Sequence, residues 1–407
     1  MIDRIDARTV TVTPGESIAW RRLVAQRLAG GTFASAGDAV RSLLAVQSQD
    51  YPGAKWALAQ RLDGATEADL DARFDAGELV RTHVMRPTWH FVDPADIRWL
   101  LALTAPRVHQ ANAYQYRILE LDLETRAQSR AIIERLLAGG QSLTREELRR
   151  ALADAGVPGT NLRLGYMLID AELEGLICSG PRHGRQQTYA LLEERVPPSR
   201  PRERDEALAE LARRYVDGHG PAQVADLAWW SGLTKADARK GLELATPTLV
   251  RETDGERIFW VAPEAPAATE VDRPVVHLLP NYDELLVSFR DRADAMDPGL
   301  PSAARVAQVI LAHIIVRDGL VVGGWRRIDE GSSVRLEPDA LVTLDEREQE
   351  AVAATVRRFE IYLGRPVRWP GSIEGPNGPV LSSATPSSRP ARWPPPGRDS
   401  SVGRARD

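Results

Sequence analysis

The chain has 407 residues and is poor in cysteine, lysine and long apolar runs, and each scarcity closes off a class of protein. Cys178 is the only cysteine, so no internal disulfide can form, and a reducing cytoplasmic setting close to the nucleoid is expected. No apolar run approaches the ~18 residues of a membrane span. The opening stretch MIDRIDARTVTVTPGES has no apolar signal core behind a basic head. Lysine is confined to Lys55, Lys235 and Lys240, so arginine supplies nearly all the positive charge. Its planar fork suits phosphates and base edges, although a GC-rich genome produces the same bias. A net charge of −5 denies the chain the basic excess of a generic DNA binder. Seven scattered histidines and one cysteine give no zinc spacing, and there is no phosphate-cradling glycine loop, so neither metal nor cofactor is expected.

What is present is the composition of a soluble globular protein, 43% hydrophobic and 27% charged, in a chain long enough for several cores. Helical periods followed by short alternating runs recur three times, a grammar of short helices closed by a hairpin. The first pass covers residues 10–110, from SIAWRRLVAQRL to the hairpin ELVRTHV/PTWHFV, which turns at Met85 to Pro87. The second covers 125–195: Thr144 and Glu147 have capping-box spacing, and Arg182 to Arg185 form a basic hairpin tip. The third covers 203–265, with Thr234 capping a helix that carries Lys235 and Arg239 one turn apart, and a hairpin turn at Asp254-Gly255. Residues 270–364 read as a separate mixed α/β domain with a turn at Asp318-Gly319. From Arg365 onward Pro, Ser, Gly and Arg dominate, and a disordered tail, 365–407, is expected. The fold class is therefore mainly α with β-hairpin wings (α+β), tandem winged-helix modules followed by a mixed α/β C-terminal domain.

One stretch does not fit a purely structural reading. LLAVQSQDYPG, residues 43–53, runs an apolar helix into Gln47 and Gln49, two neutral amides that cannot titrate. Residues i and i+2 of an extended segment share a face, so both amides can converge on one water, each accepting through its carbonyl and donating through its NH₂. Asp50 is adjacent but points the other way. The structural alternative is that both glutamines bond loop carbonyls. Trp89 and His90 on the first hairpin read as core. Arg86 at its tip is either a DNA contact or a solvated arginine. Asp283 and Glu284 are sequence neighbours that point apart and read as structural, and Asp291, between Arg290 and Arg292, reads as ion-paired.

The segments LLAVQSQD, MRPTWHFVDPADIRWLLALTAPR, HLLPNYDELLVSFRDR and IIVRDGLVVGGWRR resemble the AlkZ-like winged-helix DNA glycosylases of bacteria, over roughly residues 10 to 364. The resemblance implies tandem winged helices in a C shape around duplex DNA, and excision of alkylated purines and, in some members, of interstrand crosslinks. The family signature is glutamine, an aliphatic residue, then glutamine or aspartate. Gln47 and Gln49 match its outer positions as the implied catalytic pair, while Ser48 departs from the middle one. An N7- or N3-alkylated purine is already cationic and leaves as a neutral base, so no general acid is required. The implied partner is double-stranded DNA containing alkylated bases, met by a monomer through Arg86, Arg182, Arg185, Lys235 and Arg239. A different class, a non-catalytic winged-helix transcription regulator, uses the same modules, but usually reaches palindromes by dimerising a single one.

Overall fold

The computed structural model describes residues 9–11, 16–263, 271–297, 300 and 313–370. After the short strand β1 (Thr9–Thr11), α1 (Ile18–Ala25) leads into a first module: α2 (Ala36–Leu43), β2 (Ala45–Gln47), α3 (Tyr51–Ala59), α4 (Glu67–Ala76) and the hairpin β3 (Val80–His83) and β4 (Trp89–Val92). The long helix α5 (Ile97–Ile118) crosses to a second module of α6 (Leu123–Leu137), β5 (Leu143–Thr144), α7 (Arg145–Asp154), α8 (Asn161–Leu173), β6 (Ile177–Ser179) and β7 (Thr188–Leu191), followed by the single turn α9 (Leu192–Arg195). The third contains α10 (Arg204–His219), α11 (Val224–Ser231), α12 (Lys235–Leu244) and the hairpin β8 (Val250–Asp254) and β9 (Arg257–Val261).

All three modules repeat one order: a helix, a short extended segment, two helices and a hairpin. The short segment always pairs with the second hairpin strand: β2 with β4, β5 with β7, and Ala222 with Trp260 in β9. Sequence periodicity gives the helices and hairpins but misses these segments, which span three residues at most and carry no alternation to detect. Local signals fix the helix ends. Thr144 and Glu147 make both bonds of the capping box on α7, and Thr234 caps α12 by accepting the Asp237 amide.

The C-terminal region consists of β10 (Val276–Leu279), α13 (Glu284–Val287), β11 (His313–Arg317), β12 (Leu320–Asp329), β13 (Val334–Ala340), α14 (Glu346–Leu363) and β14 (Val367–Arg368). Its five strands lie in chain order, antiparallel until β14 joins parallel to β13. Asp318 and Gly319 both take positive φ at the tight β11–β12 turn, where the sequence places one. Two expectations change. The tail does not begin at Arg365, because Arg365 pairs with Asp329 and β14 extends the sheet; residues 371–407 lie outside the described residues. Nor does the core of this region stand apart. Leu278, Trp325 and Phe359 share one hydrophobic cluster with Val46, Trp56 and Phe91 of the first module.

The first-module sheet, ordered β2-β4-β3, is covered on both faces. Val46 and Phe91 face the C-terminal sheet, whereas Ala45, Val80 and Val92 face a second core built with Tyr215 and Trp230 of the third module. Alternation along each strand sends successive side chains to opposite cores. Two adjacent carboxylates of the C-terminal region pin this arrangement from different sides. Asp283 receives Nη1 and Nη2 of Arg61, each at 2.9 Å, and both residues are buried. Arg61 also donates to the carbonyls of Gln26 and Ala57. Removing one partner of a buried, bidentate pair strands the other charge away from water. Asp283→Ala is expected to cost about 3–5 kcal/mol, read as a lowered urea unfolding midpoint.

Candidate functional site

Gln47 ends β2, opposite His90 of β4, which in turn faces Thr82 of β3. Directly opposed residues of antiparallel strands project to the same side, so Gln47, His90 and Thr82 form one row across the sheet. Each carries a buried polar atom without a hydrogen-bond partner among the described residues: Gln47 Oε1, His90 Nε2 and Thr82 Oγ1. Buried polar atoms are rarely left unpaired, and the row is a polar strip on the sheet face that meets the third-module core. His90 Nδ1 lies 2.9 Å from the Thr88 carbonyl, an arrangement that puts the ring proton on Nδ1 and leaves Nε2 as an acceptor. Burial, with the Arg86 guanidinium beside it, pushes the imidazole down to about 3.

The two glutamines differ in setting. Gln47 is 7% exposed, whereas Gln49 lies in the bend beyond the strand, exposed, with Oε1 3.5 Å from the Trp89 amide. Both therefore stand at the start of β4, one buried and one exposed. Ser48 between them is fully buried on the opposite side. Its carbonyl accepts from Arg81 Nη2 at 2.8 Å and its hydroxyl faces Arg81 Nε at 3.3 Å, while the Arg81 guanidinium lies 4.3 Å from the Trp89 ring centroid. Asp50 caps α3 by accepting the Gly53 amide. Trp89 is half-buried, donating from Nε1 to Glu172 of the second module at 3.3 Å.

Glu284, read from sequence as structural, stands directly behind the motif. It is fully buried; Oε1 accepts the Gln47 backbone amide at 2.7 Å, and Oε2 accepts Trp230 Nε1 at 2.9 Å and the Ser288 hydroxyl at 2.5 Å. His219 Nε2 lies 3.6 Å from the same Oε2. Burial alone raises the Glu284 carboxyl, but His219, Ser288 and the Gln47 amide outweigh it and hold the group at about 2. No sequence signal links positions separated by 237 residues, so this contact is visible only in the fold. Asp291, expected in an ion pair with its arginine neighbours, instead accepts the Ala293 amide.

The arginines expected at the hairpin tips also move. Arg86 is buried rather than solvent-facing, because the tip docks on the α11–α12 turn at Gly232. That glycine has φ +71°, and a Cβ there would collide with the Met85 carbonyl. Burial brings the Arg86 guanidinium down to about 10, and it lies 6.0 Å from the Trp229 ring. Arg182 is held by Asp71 at 2.8 Å and Asp75 at 2.7 Å. Arg185, Lys235 and Arg239 are exposed, with no ion-pair partner among the described residues. Lys240 is paired with Asp205. Cys178 is buried, and burial pushes its thiol up to about 12, far from a nucleophile. His109, Asp170 and Glu174 converge, but Arg126 and Arg130 already hold Asp170, so a dication there would meet two guanidiniums.

Comparison with known proteins identifies the class of the chain. The chain is 26% identical over 374 residues to an interstrand DNA cross-link repair glycosylase of Streptomyces sahachiroi, covering 86% of this chain and 98% of that one. Its fold matches the solved structure of the Streptomyces sahachiroi DNA glycosylase AlkZ, with a TM-score of 0.70 and 22% identity over 86% of this chain and 97% of that one. The class is that of the DNA glycosylases, enzymes that hydrolyse the N-glycosidic bond. The family model for DNA glycosylase AlkZ-like proteins matches residues 40–362, and the chain belongs to that family. No helix among the described residues is long and apolar enough to cross a membrane.

The two histidines that burial holds near 3, His90 and His277, set an acid limit. Each takes its proton only in the unfolded chain, so stability is complete above about 6.5 and is lost as pH falls from there toward 3. By pH 5 each histidine is expected to cost about 2 kcal/mol. Denaturant titrations at pH 7 and 5 check this: the midpoint should fall, and should fall less in His90→Gln.

Proposed function

We propose that the chain is a monofunctional glycosylase that excises cationic N7- or N3-alkylated purines, with Gln47 and Gln49 positioning the hydrolytic water. In this reading the three modules are tandem winged helices arrayed in a C shape around duplex DNA, and the enzyme works as a monomer. The observation that carries it is the unpaired, buried Gln47 Oε1 in a row with His90 and Thr82. A neutral amide in such a row has unsatisfied hydrogen-bonding capacity for water.

The chemistry asks for little more. When the glycosidic bond of an N7-alkylguanine breaks, the base takes the bonding pair and becomes neutral. Water then bonds to C1′ of the oxocarbenium-like sugar and releases its proton to solvent. Orientation of that water, rather than proton donation, is what the protein must supply. Gln49, exposed in the bend beyond the strand, is in this reading the amide that meets the lesion strand. An exposed amide of this kind also suits bulky adducts, and the Streptomyces sahachiroi relative is an interstrand DNA cross-link repair glycosylase; we extend that substrate class to this chain.

Gln47→Ala and Gln49→Ala are each expected to slow single-turnover excision from an N7-methylguanine duplex by at least about tenfold, with DNA affinity within a few fold. Appearance of alkali-labile abasic sites reports the rate, and a uracil duplex should stay intact throughout. Unchanged rates in both variants would remove the motif from the mechanism.

For DNA contact, the free cations Lys235 and Arg239 on α12, together with Arg185 on the second hairpin, replace the buried Arg86 and the paired Arg182. The double variant Lys235→Ala/Arg239→Ala is expected to weaken binding to lesion-free duplex and to lower the slope of log affinity against log salt by about two, one counterion for each phosphate contact. A titration across salt concentrations measures it; an unaltered slope would take α12 out of the interface.

A further inference from the structure

The reaction in its simplest form uses two amides and a water, and assigns nothing to the carboxylate beneath them. Glu284 comes from α13 of the C-terminal region, yet its side chain reaches the last residue of β2 and accepts the Gln47 amide at 2.7 Å. That amide has no strand partner of its own in the β2–β4 ladder that could replace Glu284, since β2 lies at the edge of its three-stranded sheet. The second carboxylate oxygen is fixed by Trp230 Nε1 and the Ser288 hydroxyl, with His219 Nε2 at 3.6 Å. Trp230 lies in α11 of the third module, fully buried and packed against Tyr215 and His219 at ring-centroid distances of 4.9 and 5.1 Å.

Three separate parts of the chain therefore meet at one carboxylate: the catalytic strand, α13 and the third module. A carboxylate is the only common side chain whose two oxygens both accept, which is what this junction requires, because the Gln47 amide, Trp230 Nε1 and the Ser288 hydroxyl all donate to it. Arg86, buried with Nε and Nη2 unpaired among the described residues, lies within electrostatic reach of Glu284. The negative charge thus compensates a buried cation as well as holding a backbone.

We propose that Glu284 is a positioning residue for the glycosylase reaction: it fixes the Gln47 end of β2, and with it the catalytic amide, against the third module through Trp230. The inference rests on Gln47 being catalytic. Its physical content is that the amide must be held to within a few tenths of an ångström to orient water, and that a strand edge gives too little restraint without an external acceptor.

Glu284→Gln is the first test, because the amide keeps the size but presents one donor face. Either Gln47 N–H or the Trp230 and Ser288 donors must then face an NH₂ group. The expected result is single-turnover excision from an N7-methylguanine duplex slowed by about 10- to 100-fold, with affinity for that duplex within about threefold. In a Gln47→Ala background the same substitution should change the rate by less than about threefold, since a residue acting through Gln47 has nothing left to act through. Excision by Glu284→Gln within threefold of the parent, or a loss that multiplies fully with that of Gln47→Ala, would overturn the proposal while leaving the motif catalytic. Unchanged excision in Gln47→Ala alone would overturn both. Should Glu284→Gln fail to fold, Trp230→Phe decides: it deletes one donor to Oε2, touches no bond to Gln47, and should slow excision by at least about threefold with melting within a few degrees of the parent. An unslowed Trp230→Phe enzyme overturns the proposal.

Discussion

The Asp283-Glu284 pair organises the middle of the molecule. Backbone geometry at the start of α13 sends the two side chains apart, so neighbouring carboxylates serve different partners: Asp283 takes the fork of Arg61, and Glu284 takes the amide of Gln47. Each is buried and each is satisfied by donors from elsewhere in the chain. Ions in such positions add little net stability over an apolar core, but leaving either half of a pair alone is costly. The effect is specificity of assembly. The C-terminal sheet packs where both carboxylates find their partners, and that placement also brings Leu278 to accept from Trp56 Nε1 at 2.7 Å and Gln60 Nε2 at 3.1 Å. The C-terminal half of the helix that follows the motif is thereby bolted to β10, and Arg61 just beyond it to Asp283.

Much of this architecture was legible in the sequence, and the parts that were not share a physical cause. Helices with capping boxes, such as α7, and the turns at Asp318-Gly319 and Asp254-Gly255 declare themselves locally, because side chain and backbone satisfy each other within a few residues. The helix-then-hairpin grammar was readable for the same reason. The short segments Ala45–Gln47 and Leu143–Thr144 were not, since pairing with a distant hairpin makes them strands. The motif itself could be located, and its extended backbone anticipated, but not the enclosure of Gln47 against the exposure of Gln49. That difference arises because the sheet is covered on both faces, a property of the first module, the third module and the C-terminal sheet together.

The charged side chains mark the same boundary. A hairpin tip in sequence looks solvent-facing, and Arg86 and Arg182 invite a role in DNA contact. In the fold, one tip is buried against Gly232 and the arginine of the other is clamped by two aspartates. Sequence cannot report how modules dock, whereas a helix such as α12 shows its exposed face by periodicity alone, and Lys235 and Arg239 stand where that periodicity puts them. Heavy use of arginine therefore divides into two roles here: some guanidiniums, such as those of Arg61 and Arg86, are buried inside the fold, and others stand at the surface.

Ser48 has a bearing on how this motif can drift. Its side chain is turned away from the row of Gln47, His90 and Thr82, and both its hydroxyl and its carbonyl face Arg81, whose guanidinium rests on Trp89. Trp89 in turn reaches Glu172 in the next module. Positions 48, 81, 89 and 172 thus form one line of contacts behind the motif, so a change at its middle position is felt first by packing partners that reach into the next module, and not by the two amides that flank it.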